Sequence, residues 1–242
     1  MNTLIALSGL GVFCLIAEIF NLRKAIVPVV ILGLLAVLGT TLHLWTLGFS
    51  ANEKYSNMIA ADSTSSAFAS LFILLTIFIV AMGNEVYKDH PTKISDYISI
   101  KVFLLAGAIA MISFTNLAMF FIGIETLSIA LYILAGSSRL DIKSNEAGMK
   151  YFLMGSFASG IILFGICLIY GAMGSFDVAE ISSASLSAEL PSWFPIGVIL
   201  VVVGMLFKIA AVPFHFWAPD VYEGAPSLVT ATMSTLVKVV AI

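Results

Sequence analysis

Charge is what this sequence has least of. Only 10% of its 242 residues are Asp, Glu, Lys or Arg, against about 25% in ordinary soluble domains. With 60% hydrophobic residues and a mean hydropathy of +1.09, a water-soluble globular domain is excluded. A net charge of −3 and no basic patch exclude nucleic acid as a partner. Cysteine is nearly absent. Cys14 and Cys167 both lie in apolar runs and suit small packing residues, with no disulfide or metal spacing. No haem-type Cys-x-x-Cys-His, phosphate loop or dinucleotide fingerprint occurs, so no cofactor site is expected in this chain. Positive residues are missing ahead of the first apolar run, and Arg23 and Lys24 follow it. That order fits a retained membrane helix and not a cleaved signal peptide.

What is present is a series of long apolar runs. About 20 such residues span a bilayer, and eight segments qualify: 4–20, 25–47, 65–82, 98–114, 117–135, 147–171, 193–217 and 227–242. The expected fold is all-α, a polytopic bundle of about eight transmembrane helices in a lipid bilayer. Thr115–Asn116 joins the fourth and fifth segments so tightly that they must be antiparallel neighbours. Lys and Arg set orientation. Arg23, Lys24, Lys88, Lys93, Arg139 and Lys143 fall in odd-to-even loops, with Lys101 just inside, and only Lys54 lies on the other side. An external (periplasmic) N-terminus follows, with 21–24, 84–97 and 137–145 cytoplasmic. The loop 172–192 is external, and ISSASLSAEL within it suits a short interfacial helix. The eighth segment, about 24 Å long, falls short of the roughly 30 Å core and is expected to be incomplete at Ile242.

Against this apolar background, ionisable residues stand out. Lys208 sits within 196–212 (IGVILVVVGMLFKIAAV). A charge at the bilayer centre costs about 2.5–3.5 kcal/mol on insertion scales. Pro213 follows five residues later; it has no N–H and clashes with the preceding turn, so the seventh helix is expected to be discontinuous. Glu125, near the middle of its segment, is the natural partner. A nearby carboxylate raises a lysine's proton affinity and burial lowers it, a balance that lets a lysine load and release a proton. Lys238 lies on the next segment. Lys150 is four residues after Glu146, a spacing that also suits a simple ion pair. His215, directly after the proline, suits proton relay because imidazole titrates near neutrality, or else fills the break. His43 is expected to be structural. Glu18 is expected to be a surface or subunit contact. Asp220 and Glu223 either shape the Pro- and Gly-rich turn or accept protons from the external side.

These residues also form a pattern. FKIAAVPFHFWAPDVYEGAPSLVTATMSTLVK (207–238) resembles the signature of the antiporter-like membrane subunits of respiratory complex I. FIGIETLSIALYILAG (121–136) and EAGMKYFLMGSFASGIILFGICLIYG (146–171) resemble the N subunit in particular. The resemblance implies that Glu125 pairs with Lys208 on the broken helix, that Lys238 passes protons onward, and that Lys150 matches a further lysine. It implies a fold with two inverted five-helix repeats beginning at the fourth helix, as in secondary transporters. Residues 1–97 would then hold the first three helices, and 98–242 the first repeat with its last helix incomplete. The implied function is proton translocation as a subunit of an inner-membrane NADH–quinone oxidoreductase, with redox chemistry in partner membrane-complex subunits. A cation/proton antiporter subunit is the alternative. The resemblance carries proton-transfer roles for Glu125, Lys208, Lys238 and Lys150, and the chemistry of the imidazole beside the proline adds His215 as a fifth catalytic candidate.

Overall fold

A computed structural model describes residues 2–20, 23–47, 57–60, 62–86, 91–187 and 190–242. Among the described residues the fold is a polytopic membrane helical bundle without strands. Six helices are long and apolar enough to cross a membrane. They are α1 (Asn2–Ile19), α2 (Arg23–Leu47), α3 (Ser63–Val86), α4 (Pro91–Ile112), α5 (Leu117–Ala135) and α6 (Ile142–Met173). The loop 172–192 holds the expected short helix as α7 (Val178–Ser187), which begins three residues before the ISSASLSAEL stretch. The seventh segment is broken, as the proline suggested, into α8 (Trp193–Lys208) and α9 (Ala218–Gly224). The eighth is α10 (Ser227–Ala241), interrupted by a π-helical turn at Met233–Val237.

Helix ends explain where the apolar runs misplaced boundaries. Asp62 and Ser65 cap each other before α3: the Ser65 N–H donates to Asp62 Oδ1 at 2.6 Å, and the Asp62 N–H donates to Ser65 Oγ at 3.0 Å. The bond from the Ser65 N–H, followed by the Ser65 hydroxyl, holds the Asp62 carboxyl below its ordinary pKa. Asn116 caps α5 by accepting from the Met119 N–H at 2.8 Å, and Asp141 caps α6 by accepting from the Lys143 N–H at 3.0 Å. The 32 residues of α6 extend about 48 Å, well past a hydrocarbon core of about 30 Å. The fourth segment, expected from residue 98, starts at Pro91. Its polar first turns lie outside an apolar run but still continue the helix, which moves Lys101 to the middle of α4.

Small residues let the helices approach closely, as is usual in membranes. A Cβ on Gly107 of α4 would stand 2.7 Å from the Leu127 backbone nitrogen of α5. One on Gly165 of α6 would stand 2.7 Å from the Gly197 carbonyl oxygen of α8. At one end of the bundle three connections are stitched together through backbone bridges, Ile59 to Phe114 and Asn116 to Asp177. This places 57–60, the Thr115–Asn116 turn and the start of the 172–192 loop on one side, as the alternation of segments required. Of the loops 21–24 and 84–97, residues 21–22 and 87–90 lie outside the described residues, as do Lys54 and Glu189.

Candidate functional site

The site is built where α8 stops. Lys208 is its last residue and is buried, 8% exposed. The next residues cannot continue the helix: Ala210 has φ of 57°, a left-handed conformation that costs a non-glycine residue about 1 kcal/mol or more. The break leaves carbonyl groups to be satisfied. The Phe207 carbonyl accepts from the Ala210 N–H at 3.0 Å and from Trp217 Nε1 at 3.1 Å. The Ile209 carbonyl accepts from Lys238 Nζ at 2.5 Å. Irregular backbone inside a membrane protein is tolerated where such partners are supplied.

Lys208 Nζ donates to Ser128 Oγ at 2.8 Å, and lies 3.1 Å from both the Tyr132 hydroxyl and Ser159 Oγ. Its ion-pair partner is Glu125, with Oε1 at 3.9 Å. That oxygen is buried and makes no hydrogen bond among the described residues. Glu125, Ser128 and Tyr132 sit at i, i+3 and i+7 on α5, one face of the helix. Lys208 is therefore held by neutral hydroxyls and faces a carboxylate just beyond hydrogen-bond distance. A shift of about 1 Å would close or open that pair.

Lys238 reaches the other side of the break. Its amine lies 5.7 Å from the Trp217 ring centroid and 5.9 Å from that of Tyr222. Trp217 is 2% exposed; it stacks on Tyr151 at 4.8 Å and on Phe207 at 5.5 Å. Lys208 and Lys238 thus meet the same short irregular stretch, one as its preceding residue and the other as a donor to Ile209.

Other expected residues fall elsewhere. Lys150 is at the surface, bound to Glu146 at 2.6 Å and Asp220 at 2.7 Å, so the simple ion pair is what the geometry gives. Lys143 binds Glu223 at 2.7 Å. Asp220 and Glu223 therefore lie at the α6 N-terminal end, opposite the 172–192 loop, so of their two expected roles proton uptake from that loop's side is corrected: beyond the break the chain keeps travelling in the direction of α8. His215 is exposed and makes no hydrogen bond to Lys208 or Lys238 among the described residues. Glu18 is not merely a surface residue, since Ser95 Oγ donates to its carboxylate across α1 and α4. His43 is exposed on α2, so it fills no core position. Cys14 packs in the core but Cys167 is exposed on the outer face of α6. Sequence inspection missed Ser128, Tyr132, Ser159, Trp217 and Tyr222. The first two were discoverable from their helical spacing to Glu125; the others depend on tertiary contacts.

The chain is 72% identical over 242 residues to NADH-quinone oxidoreductase subunit N of Flavobacterium johnsoniae, covering all of this chain and 52% of that protein. It resembles a chain of respiratory complex I from Thermus thermophilus with bound aureothin, at 29% identity and TM-score 0.78, over 99% of this chain and 51% of the other. A chain of the Mrp complex from Dietzia sp. DQ12-45-1b shares the fold, with TM-score 0.74 at 21% identity over 99% of this chain and 46% of the other. The chain spans about half the length of the curated relatives it matches. Residues 114–242, which contain Glu125, Lys208 and Lys238, match the family described as NADH:quinone oxidoreductase/Mrp antiporter, TM, and the chain belongs to that family.

Proposed function

We propose that this chain forms the first antiporter-like half of a proton-translocating membrane subunit of an NADH–quinone oxidoreductase. In this reading residues 1–97 support the working repeat that follows, in an inner membrane with the N-terminus external. The redox reaction belongs to other subunits of the complex, and the residues here move protons. The observation that carries the reading is the buried Glu125–Lys208 pair at a helix break whose Ile209 carbonyl also receives Lys238. Intramembrane charges of this kind are rare and mark ion pathways.

The steps follow from the contacts. With Glu125 near, the charged amine of Lys208 is favoured and the site holds its proton. When Glu125 is drawn away, Lys208 retains only hydroxyl partners in a low-dielectric setting, and its charged form becomes costly. The proton leaves through water around the irregular stretch of the break and passes to the Lys238 side. Return of Glu125 reloads Lys208. In this reading His215, which is exposed, and Lys150, which is paired with Glu146 and Asp220, lie outside this exchange.

The test uses the full-length protein. Purified from native membranes, it should bring with it subunits that oxidise NADH, and proton movement in its vesicles should follow NADH oxidation without requiring sodium. Sodium-dependent pH changes in its absence of NADH-oxidising partners would instead support a cation/proton antiporter subunit.

A further inference from the structure

A second lysine is buried more deeply than Lys208. Lys101 on α4 is 2% exposed, and its Nζ finds no hydrogen-bond acceptor among the described residues. Its one described contact of note is the Tyr97 ring, 4.3 Å from the amine to the centroid. Neither of the contacts that join α4 to α1 and α5 among the described residues uses a cation there. The helix meets α1 through Ser95 and Ser99, which bond to the Glu18 carboxylate and the Gly11 carbonyl. It meets α5 at Gly107. Lys101, two residues beyond Ser99 and so about 200° round the helix, presents to neither contact. The acids on those two helices are engaged elsewhere, Glu18 with Ser95 and Glu125 with Lys208.

Its depth matches the proton-handling site. Gly107 stands against Leu127 on the antiparallel α5. Lys101 is six residues back from Gly107, about 9 Å along the axis, and Tyr132 is five residues on from Leu127, about 8 Å in the same direction. Tyr132 is a partner of Lys208. Tyr97 and Tyr132 also line one cavity of about 980 Å³ between α4, α5 and α6. Its wall includes the exposed Asp96, Arg139 and Asn145. Each buried lysine thus contacts a tyrosine that walls the same opening.

Resting on the proton-translocation reading, we propose that Lys101 is a further proton-binding site of this chain, sharing with Lys208 the cavity between Tyr97 and Tyr132 as its aqueous access. The step is simple: the amine takes a proton from water in the cavity to become an ammonium against the Tyr97 ring, and returns it as the free amine. A permanently charged group with no acceptor would be a burden in this position, whereas one that cycles is charged only part of the time.

The experiment compares Lys101→Met, Lys101→Arg and Lys208→Met in the full-length protein within its complex, reading protons moved per NADH oxidised in sealed vesicles. Methionine is apolar and of similar length, so it should be tolerated at a site that lacks a hydrogen-bond acceptor. Arginine stays charged and cannot cycle, and it covers the case in which Lys101→Met fails to assemble. Both Lys101 variants should lose the same increment of the ratio as Lys208→Met while NADH-oxidising subunits remain assembled. A wild-type ratio in an assembled Lys101→Met or Lys101→Arg complex overturns this inference. If Lys208→Met still lowers the ratio, the broader reading stands; if it too leaves the ratio unchanged, both fail.

Discussion

At the residue scale, the central quantity is the 3.9 Å between Lys208 and Glu125. Opposite charges at about 4 Å attract by about 4 kcal/mol at an effective dielectric of about 20. Coulomb attraction falls as the inverse of distance, so a further ångström removes roughly 1 kcal/mol of it. That is enough to alter a protonation equilibrium severalfold without dismantling the site, because Ser128, Tyr132 and Ser159 keep hold of the amine. Each such bond to a charged group is worth about 1.5–3 kcal/mol. Ser128→Ala should therefore lower the unfolding free energy by about that amount, and an unchanged thermal melt would contradict the assigned contact. Lys150 offers the contrast. Its partners Glu146 and Asp220 are exposed, where ion pairs contribute little and salt screens them. Lys150→Met should leave proton movement at wild-type levels; a loss as deep as that of Lys208→Met would restore Lys150 to the pathway.

At the scale of elements, the break after α8 does the positioning. Ala210 holds a left-handed conformation that glycine adopts without penalty. Ala210→Gly should stabilise the protein by up to about 1 kcal/mol, after allowing for glycine's greater freedom when unfolded, and Ala210→Val should destabilise it. A calorimetric melt with the reverse order would show that the turn is not under strain. The start of α3 gives a pH-dependent case. Asp62 has its carboxyl pKa lowered by the Ser65 bonds, so its capping contribution is present above the ordinary carboxylate pKa of about 4 and fades as pH falls through the lower folded value. Asp62→Ala should cost about 1 kcal/mol at neutral pH and progressively less in acid; a difference that grows on acidification would contradict the cap. Much of this architecture was legible in the sequence. Apolar runs revealed the spans, because lipid demands them, and Pro213 announced the break. The early start of α4 was not legible, since Pro91 and its polar neighbours carry no membrane signal, and so Lys101 passed for a residue near a loop. The exposure of His215 and the reach of Lys238 to Ile209 depend on how the chain folds back after the break, which local patterning does not encode.

At the scale of the molecule, two devices separate stability from function. Close glycine contacts such as Gly107 with Leu127 and Gly165 with Gly197 clamp neighbouring helices. The surface pairs Lys143–Glu223 and Lys150–Asp220 bridge α9 and α6 and set their register more than their stability. Between these anchors lies the irregular stretch that Lys208 and Lys238 share. Gly165→Leu should therefore push α6 from α8 and lower both stability and assembly, whereas changes to the buried lysines should leave the scaffold standing. The most direct measurement follows from that separation: protons moved per NADH oxidised in vesicles containing the assembled complex, with Lys208→Met and Glu125→Gln introduced singly into the full-length chain. The account predicts that both variants assemble and that each lowers the ratio. An unchanged ratio in both, with assembly intact, would contradict it.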